Sequence, residues 1–150
     1  KTLHAAGSIA RWIVNNVHNP ILIGPDIEST QWVSQIASMS ALPYIIMEKE
    51  RYSDIDVRIS TPDLDNYKTY SPVILDDIIS TGQTMIEVVK HLKKVGMDSP
   101  ICIGVHAVFS ANSYEELTKI GAKRVITCNT IKHISNEIDV SNLLAENLSF

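Results

Sequence analysis

Cysteine is nearly absent: of 150 residues only Cys102 and Cys128 carry a thiol. Both lie inside apolar runs and lack the C-x-x-C spacing of a redox or zinc motif, so they read as two buried free thiols. Positive charge is also short. The 13 Lys and Arg residues are outnumbered by 17 Asp and Glu, the net charge is −4, and the cations are scattered along the chain. Nucleic-acid binding needs a basic stripe to neutralise phosphates, and none is present; any phosphate must be held locally. No apolar run approaches the roughly 18 residues of a membrane span, and nothing at the start resembles a signal peptide. The chain therefore reads as cytoplasmic, with neither a membrane nor nucleic acid as partner. Metal-ligand spacing is missing from the five histidines, His4, His18, His91, His106 and His133. Internal repeats and low-complexity segments are missing too.

What is there is ordinary globular composition, 45% hydrophobic and 20% charged. A chain of this length fits one domain, 1–150, that buries roughly two-thirds of its unfolded surface. It begins at Lys1 without Met and enters a helical pattern almost at once, so a piece of a longer protein is expected. Ile9, Trp12, Ile13 and Val17 follow helical spacing within 3–17. The run 20–24 (PILIG), closed by Gly24-Pro25, reads as a strand buried on both faces. Trp32, Val33, Ile36 and Ala37 form a second helical stripe, and 42–47 (LPYIIM) a second strand. The charged stretch 48–56 reads as a loop and 57–60 as an edge strand. Val73, Ile74 and Leu75 form a third strand. After it Met85, Val88, Val89, Leu92 and Val95 repeat at helical spacing until Gly96. Strands follow at 101–105 and 125–127. Between them Ser113 and Glu116 have capping-box spacing for a helix ending near Gly121. Val140, Leu143, Leu144 and Leu148 line a closing helix. Strands alternating with helices imply an α/β fold, a central, mostly parallel five-stranded sheet with helices on both faces.

In such a sheet ligands sit beyond the carboxyl ends of the strands. Those positions hold Asp26, then Lys49 and Arg51, then Asp76 and Asp77 with the loop Ser80-Thr81-Gly82-Gln83-Thr84. Two adjacent carboxylates repel each other unless a divalent cation or donating hydroxyls neutralise them. The loop behind them supplies hydroxyls, a glycine and consecutive backbone N–H groups at a helix start, an anion cradle. An acid pair for hydroxyls followed by a phosphate cradle describes a ribose 5-phosphate site. His106, at the end of the fourth strand, is the histidine placed nearest that crevice. Trp12, Trp32 and Phe109 read as core or subunit contacts and not as a base-stacking platform. Glu48-Lys49-Glu50-Arg51, taken alone, is an alternating-sign solvated loop.

The segment VILDDIISTGQT resembles the signature of type I phosphoribosyltransferases. Gly24-Pro25-Asp26, Glu48-Lys49-Glu50-Arg51, His106-Ala107-Val108-Phe109-Ser110 and Val125-Ile126-Thr127-Cys128-Asn129-Thr130-Ile131 resemble, in order, segments of the ribose-phosphate pyrophosphokinase family, as does Val140-Ser141-Asn142-Leu143-Leu144-Ala145-Glu146. The likeness spans nearly the whole chain and the carboxyl-terminal half of such an enzyme. It implies transfer of pyrophosphate from ATP to ribose 5-phosphate, giving phosphoribosyl pyrophosphate and AMP, with Mg2+ as cofactor, in a protein that forms homo-oligomers. By motif match Asp76 and Asp77 would bind ribose hydroxyls and magnesium, and Ser80, Thr81, Gly82, Gln83 and Thr84 would hold the 5-phosphate. Asp26 would sit near a metal, and Lys49 and Arg51 would be catalytic, meeting the developing negative charge. The chain departs from the family pattern at Glu28, where small glycines are usual, at Ser80 in place of Asp, and at Gln83 in place of Gly. A nucleobase phosphoribosyltransferase or a non-catalytic regulatory homologue would use the same loop.

Overall fold

The backbone turns from helix to strand at Val17, and the computed structural model describes it over residues 3–51, 57–60 and 63–148, with the side chains of 50, 51 and 57–60 outside the description. Helix α1, Ala6–Asn16, buries Ala6, Ile9, Ala10 and Ile13, one stripe at 3.6-residue period. Strand β1, Pro20–Gly24, is buried along its whole length, as a parallel strand covered on both faces must be. Helix α2, Thr30–Ser40, buries Val33, Ile36 and Ala37 and leads to β2, Tyr44–Ile46. Strand β3, Glu48–Arg51, pairs antiparallel with β4, Val57–Ser60. The long strand β5, Ser71–Ile79, is followed by α3, Gln83–Lys94, β6, Ile101–Ala107, and α4, Ser113–Ile120. The chain then forms β7, Arg124–Cys128, β8, Asn136–Ile138, and a short α5, Ser141–Ala145.

The main sheet runs β2-β1-β5-β6-β7-β8, and every pairing in it is parallel. Its strands are tight against helices on both sides because alternate residues of β5 face opposite layers. Val73 and Leu75 join the core beneath α1 and α2, whereas Ile74 joins Met85, Val88, Val89 and Leu92 of α3. The carboxyl ends of β1, β5 and β6 thus open at one rim, at the centre of the sheet.

Five expectations need correction. The sheet has six strands and not five, because Asn136–Ile138 adds an edge strand of which only Ile138 is buried. Its attachment is polar: Asn136 Nδ2 donates to Thr127 Oγ1 at 2.9 Å and to the Cys128 carbonyl at 3.0 Å, across a register shift at Thr127/Cys128. Such a strand has no apolar alternation to read. The stretch 48–56 is not all loop, since its first four residues form β3; residues 52–56 lie outside the described ones. Accordingly β4 is half of a separate two-stranded hairpin, not an edge of the main sheet. The capping box at Ser113 and Glu116 is not formed. Asn112 precedes α4 without a side-chain cap, and the Ser113 hydroxyl is turned away to the Ser80 carbonyl. The closing helix is only five residues, with Leu144 and Leu148 exposed. Both cysteines are free and buried, as expected, and burial pushes each thiol up to about 12.

Candidate functional site

At the end of β1 the chain turns through Pro25 into Asp26, whose backbone is extended and whose Oδ1 accepts the Ser29 N–H at 3.2 Å. The Ser29 hydroxyl donates back to the Asp26 carbonyl at 2.5 Å. Asp26 therefore does serve as a turn cap, and the same bonds fix its carboxylate at the rim. Asp76 and Asp77 belong to the second half of β5. The Asp77 N–H donates to Asp76 Oδ1 at 2.9 Å and the Ile78 N–H to Asp77 Oδ1 at 2.8 Å. Asp76 is half-buried and Asp77 exposed.

Burial and neighbouring charge act on Asp76. The Asp76 carboxyl is pushed up to about 7, first by burial, then by its side-chain hydrogen bond with Asp77, and further by the negative charges of Asp77 and Asp26. The Asp77 N–H opposes this only in part. Among the described residues no lysine or arginine is paired with Asp26, Asp76 or Asp77. A shared proton, a cation or ligand hydroxyls must then stabilise the group.

Behind the acids, the loop 80–84 is held from outside. The Ser80 carbonyl accepts the Ser113 hydroxyl at 2.7 Å and the Ser110 N–H at 3.2 Å, and the Ile79 carbonyl accepts the Val108 N–H at 3.1 Å. With the carbonyls engaged, the amides face the other way. The Gln83 N–H reaches Thr81 Oγ1 at 3.3 Å, and the N–H groups of Thr81, Gly82, Thr84 and Met85 meet no acceptor among the described residues. These are the orphan donors at the start of α3, the positive end of its dipole. Gly82 makes the turn with φ +69, and a Cβ there would press on Leu117 at 3.3 Å. Gly104 has a similar role from behind, because a side chain on it would occupy the space of Ile79 just before the loop.

Two cavities flank the acid pair. One of 430 Å³ is lined by Asp26, Glu28, Trp32, Asp76, Asp77 and His106 among others. A smaller one of 180 Å³ is formed by the loop residues Ser80, Thr81, Gly82, Gln83 and Thr84 together with Asp76. Asp76 is the acid common to both, which puts a carboxylate-rich cavity and a cavity formed by the loop 80–84 next to one another at this residue.

The structure thus brings Asp26, Asp76, Asp77 and the loop 80–84 together. Lys49 is elsewhere: its Nζ lies 3.0 Å from Glu87 Oε2 on α3, one turn past Gln83, and it lines neither cavity. The side chain of Arg51 lies outside the described residues. Sequence reading missed Glu87 and Thr130. Glu87 follows helical spacing and carries no motif; Thr130, which bonds His106, is distant in sequence and meets it only because β6 and β7 are neighbours. Trp32, expected in the core, packs against it and also walls the larger cavity.

The acid set consists of hard oxygen donors suited to magnesium, although no ready group of three or more ligating side chains exists among the described residues. Magnesium commonly takes only one or two protein carboxylates and completes its shell with water and substrate phosphate, so this donor set fits it.

Known proteins resemble this chain in sequence and in fold. The family model described as the phosphoribosyl transferase domain matches residues 1–143. The chain is 32% identical over 145 residues to the ribose-phosphate pyrophosphokinase of Sulfurisphaera tokodaii, covering 93% of this chain and 50% of that protein. It is 32% identical over 152 residues to that of Saccharolobus solfataricus, covering 99% and 52%. The chain spans about half the length of the curated relatives it matches. Among solved structures, phosphoribosylpyrophosphate synthetase from Mycobacterium smegmatis superposes with a TM-score of 0.77 at 23% identity, over 95% of this chain and 48% of that one. Orotate phosphoribosyltransferase from Aeropyrum pernix follows the same fold with a TM-score of 0.57 at 17% identity, over 80% and 68%.

Proposed function

Because this chain belongs to the phosphoribosyl transferase domain family, we propose that it is the ribose 5-phosphate-binding, carboxyl-terminal half of a ribose-phosphate diphosphokinase. That enzyme transfers pyrophosphate from ATP to ribose 5-phosphate, giving phosphoribosyl pyrophosphate and AMP, in the cytoplasm and as a homo-oligomer. The single observation that carries the reading is the position of Asp76 between the carboxylate cavity and the amide-lined cavity. A phosphorylated pentose has the matching polarity: an anionic end for the amides of 81, 82, 84 and 85 and a diol for the acids.

In this reading Ser80, Thr81, Gly82, Gln83 and Thr84 bind the 5-phosphate through N–H groups and hydroxyls, and the α3 dipole adds to their attraction. Asp77 and Asp76 accept the hydroxyl hydrogens and so orient the ring, which directs the anomeric oxygen toward the larger cavity. Magnesium, taking one or two carboxylates from among Asp26, Asp76 and Asp77, would neutralise phosphate charge there. Catalysis of this type is mostly positioning and charge stabilisation. Lys49 would leave Glu87 to meet the transferring phosphates as a point charge, and Arg51 would supply a planar fork.

The test is formation of AMP from ribose 5-phosphate and magnesium-ATP by the full-length protein. If it instead consumes phosphoribosyl pyrophosphate with a nucleobase, the chain is a nucleobase phosphoribosyltransferase. A second reading has one observation in its favour: Glu28 adds a further carboxylate to the larger cavity, where a pyrophosphate would lie. That reading is a non-catalytic regulatory homologue, and it predicts ribose 5-phosphate binding with neither reaction. Asp77→Asn is expected to weaken ribose 5-phosphate binding by about 1.5 to 3 kcal/mol in calorimetry, the worth of a charge-assisted hydrogen bond. Unchanged binding would remove Asp77 from the site.

A further inference from the structure

His106 makes a side-chain contact that none of the preceding roles uses. It stands on β6 in register with Ile78, one residue past the acid pair, and lines the larger cavity beside Val105. Thr130 Oγ1 lies 3.0 Å from the Val105 carbonyl and 2.8 Å from His106 Nδ1. A carbonyl can only accept, so the one hydroxyl proton of Thr130 is committed to Val105. Nδ1 must then be the donor in its contact with Thr130, and in the neutral ring Nε2 is left with its lone pair. The contact joins the segment after β7 to the end of β6, so two elements hold the ring at a set angle.

The wall around it is rich in acceptors. Asp26, Glu28, Asp76 and Asp77 line the same cavity, and the Ser29 hydroxyl that also reaches it is already spent on the Asp26 carbonyl. An occupant of this cavity must bring donors or a cation, and the hydroxyl groups of a sugar phosphate supply donors. We propose that His106 is a substrate-binding residue whose Nε2 accepts a hydrogen bond from a pentose hydroxyl, and that Thr130 is the positioning residue that fixes the ring for it. The inference rests on the ribose 5-phosphate reading and adds a recognition group from a third strand.

Asparagine and glutamine separate the two ring nitrogens. Asn at 106 places an amide near the Nδ1 position and keeps the Thr130 contact, whereas Gln reaches the Nε2 position. Calorimetry on the full-length protein uses ribose 5-phosphate and inorganic phosphate as probes. His106→Asn is expected to weaken ribose 5-phosphate about threefold to tenfold, the range of one net hydrogen bond, with inorganic phosphate unchanged. His106→Gln should stay within about twofold of the parent. Thr130→Val should weaken the sugar phosphate less than His106→Asn and shift the 15N signals of His106 from the single Nδ1–H tautomer to a mixture. Equal affinity of His106→Asn and parent for ribose 5-phosphate overturns the inference. So does equal weakening of both probes, which would mark a structural role, or an Nε2 already protonated in the free protein. Should the parent itself bind no ribose 5-phosphate, the site assignment falls; should the parent bind and His106→Asn match it, only this inference falls.

Discussion

Asp76 shows how a single residue is tuned by its neighbours. Its carboxyl is raised to about 7 by burial and by Asp77 and Asp26, so the folded protein holds a proton there that the unfolded chain, near the ordinary 3.8, releases. A raised folded-state value contributes stability that is full below the unfolded value and is lost as pH rises through the folded one. Without divalent cations, the protein should therefore lose stability between about pH 4 and pH 7 through this group. Denaturant midpoints across that range should flatten in Asp76→Asn, which carries no proton to release; an unchanged slope in the variant would assign the effect elsewhere. Added magnesium should reduce the loss above pH 7 by replacing the proton. The acid pair was legible in the sequence because two adjacent carboxylates after an apolar run are costly without a partner. The tuning of Asp76 was not legible, since it depends first on how deeply the packed structure buries its carboxyl and only then on Asp77 and Asp26.

Among the elements, the loop between β5 and α3 depends on what lies behind it. Gly82→Ala would force a side chain into a left-handed conformation and against Leu117, costing about 1 to 2 kcal/mol. Phosphate affinity should fall with it, because the orphan amides of α3 follow the turn; thermal denaturation and phosphate titration read the two effects. Ser113→Ala removes the hydroxyl held by the Ser80 carbonyl, at about 1 kcal/mol, and should loosen the loop while leaving α4 intact by circular dichroism. The loop and its helix were readable from VILDDIISTGQT, since strand, glycine and helical spacing agree. The brace from Ser113 was not, because the capping-box pattern offered a closer use for the same hydroxyl. Strand β8 escaped for a related reason: Asn136 holds it by side-chain bonds, which leave no hydrophobic period. Of the hairpin, β4 was readable as a strand at 57–60, whereas β3 escaped because Glu48-Lys49-Glu50-Arg51 carries no apolar residue to set a strand period.

For the whole molecule, stability and recognition reside in different places. The buried side chains of β5 and β6 sit between two helical layers, whereas the polar groups gather at the rim. Ile103→Ala, at a fully buried position in β6, should lower unfolding free energy by about 2 to 5 kcal/mol. Under conditions where it is folded, its ribose 5-phosphate affinity should match the parent. A drop in affinity without a drop in stability would show that the two are not separable. The placement of Asp76 on the shared wall of two unlike cavities has a consequence for selectivity. A guest that carries both an anion and a polyol on one framework engages the second half intramolecularly, at an effective concentration of order millimolar or above. Free phosphate and free sugar, diffusing independently, have no such advantage, so discrimination against the abundant fragments is built into the spacing of the two chambers.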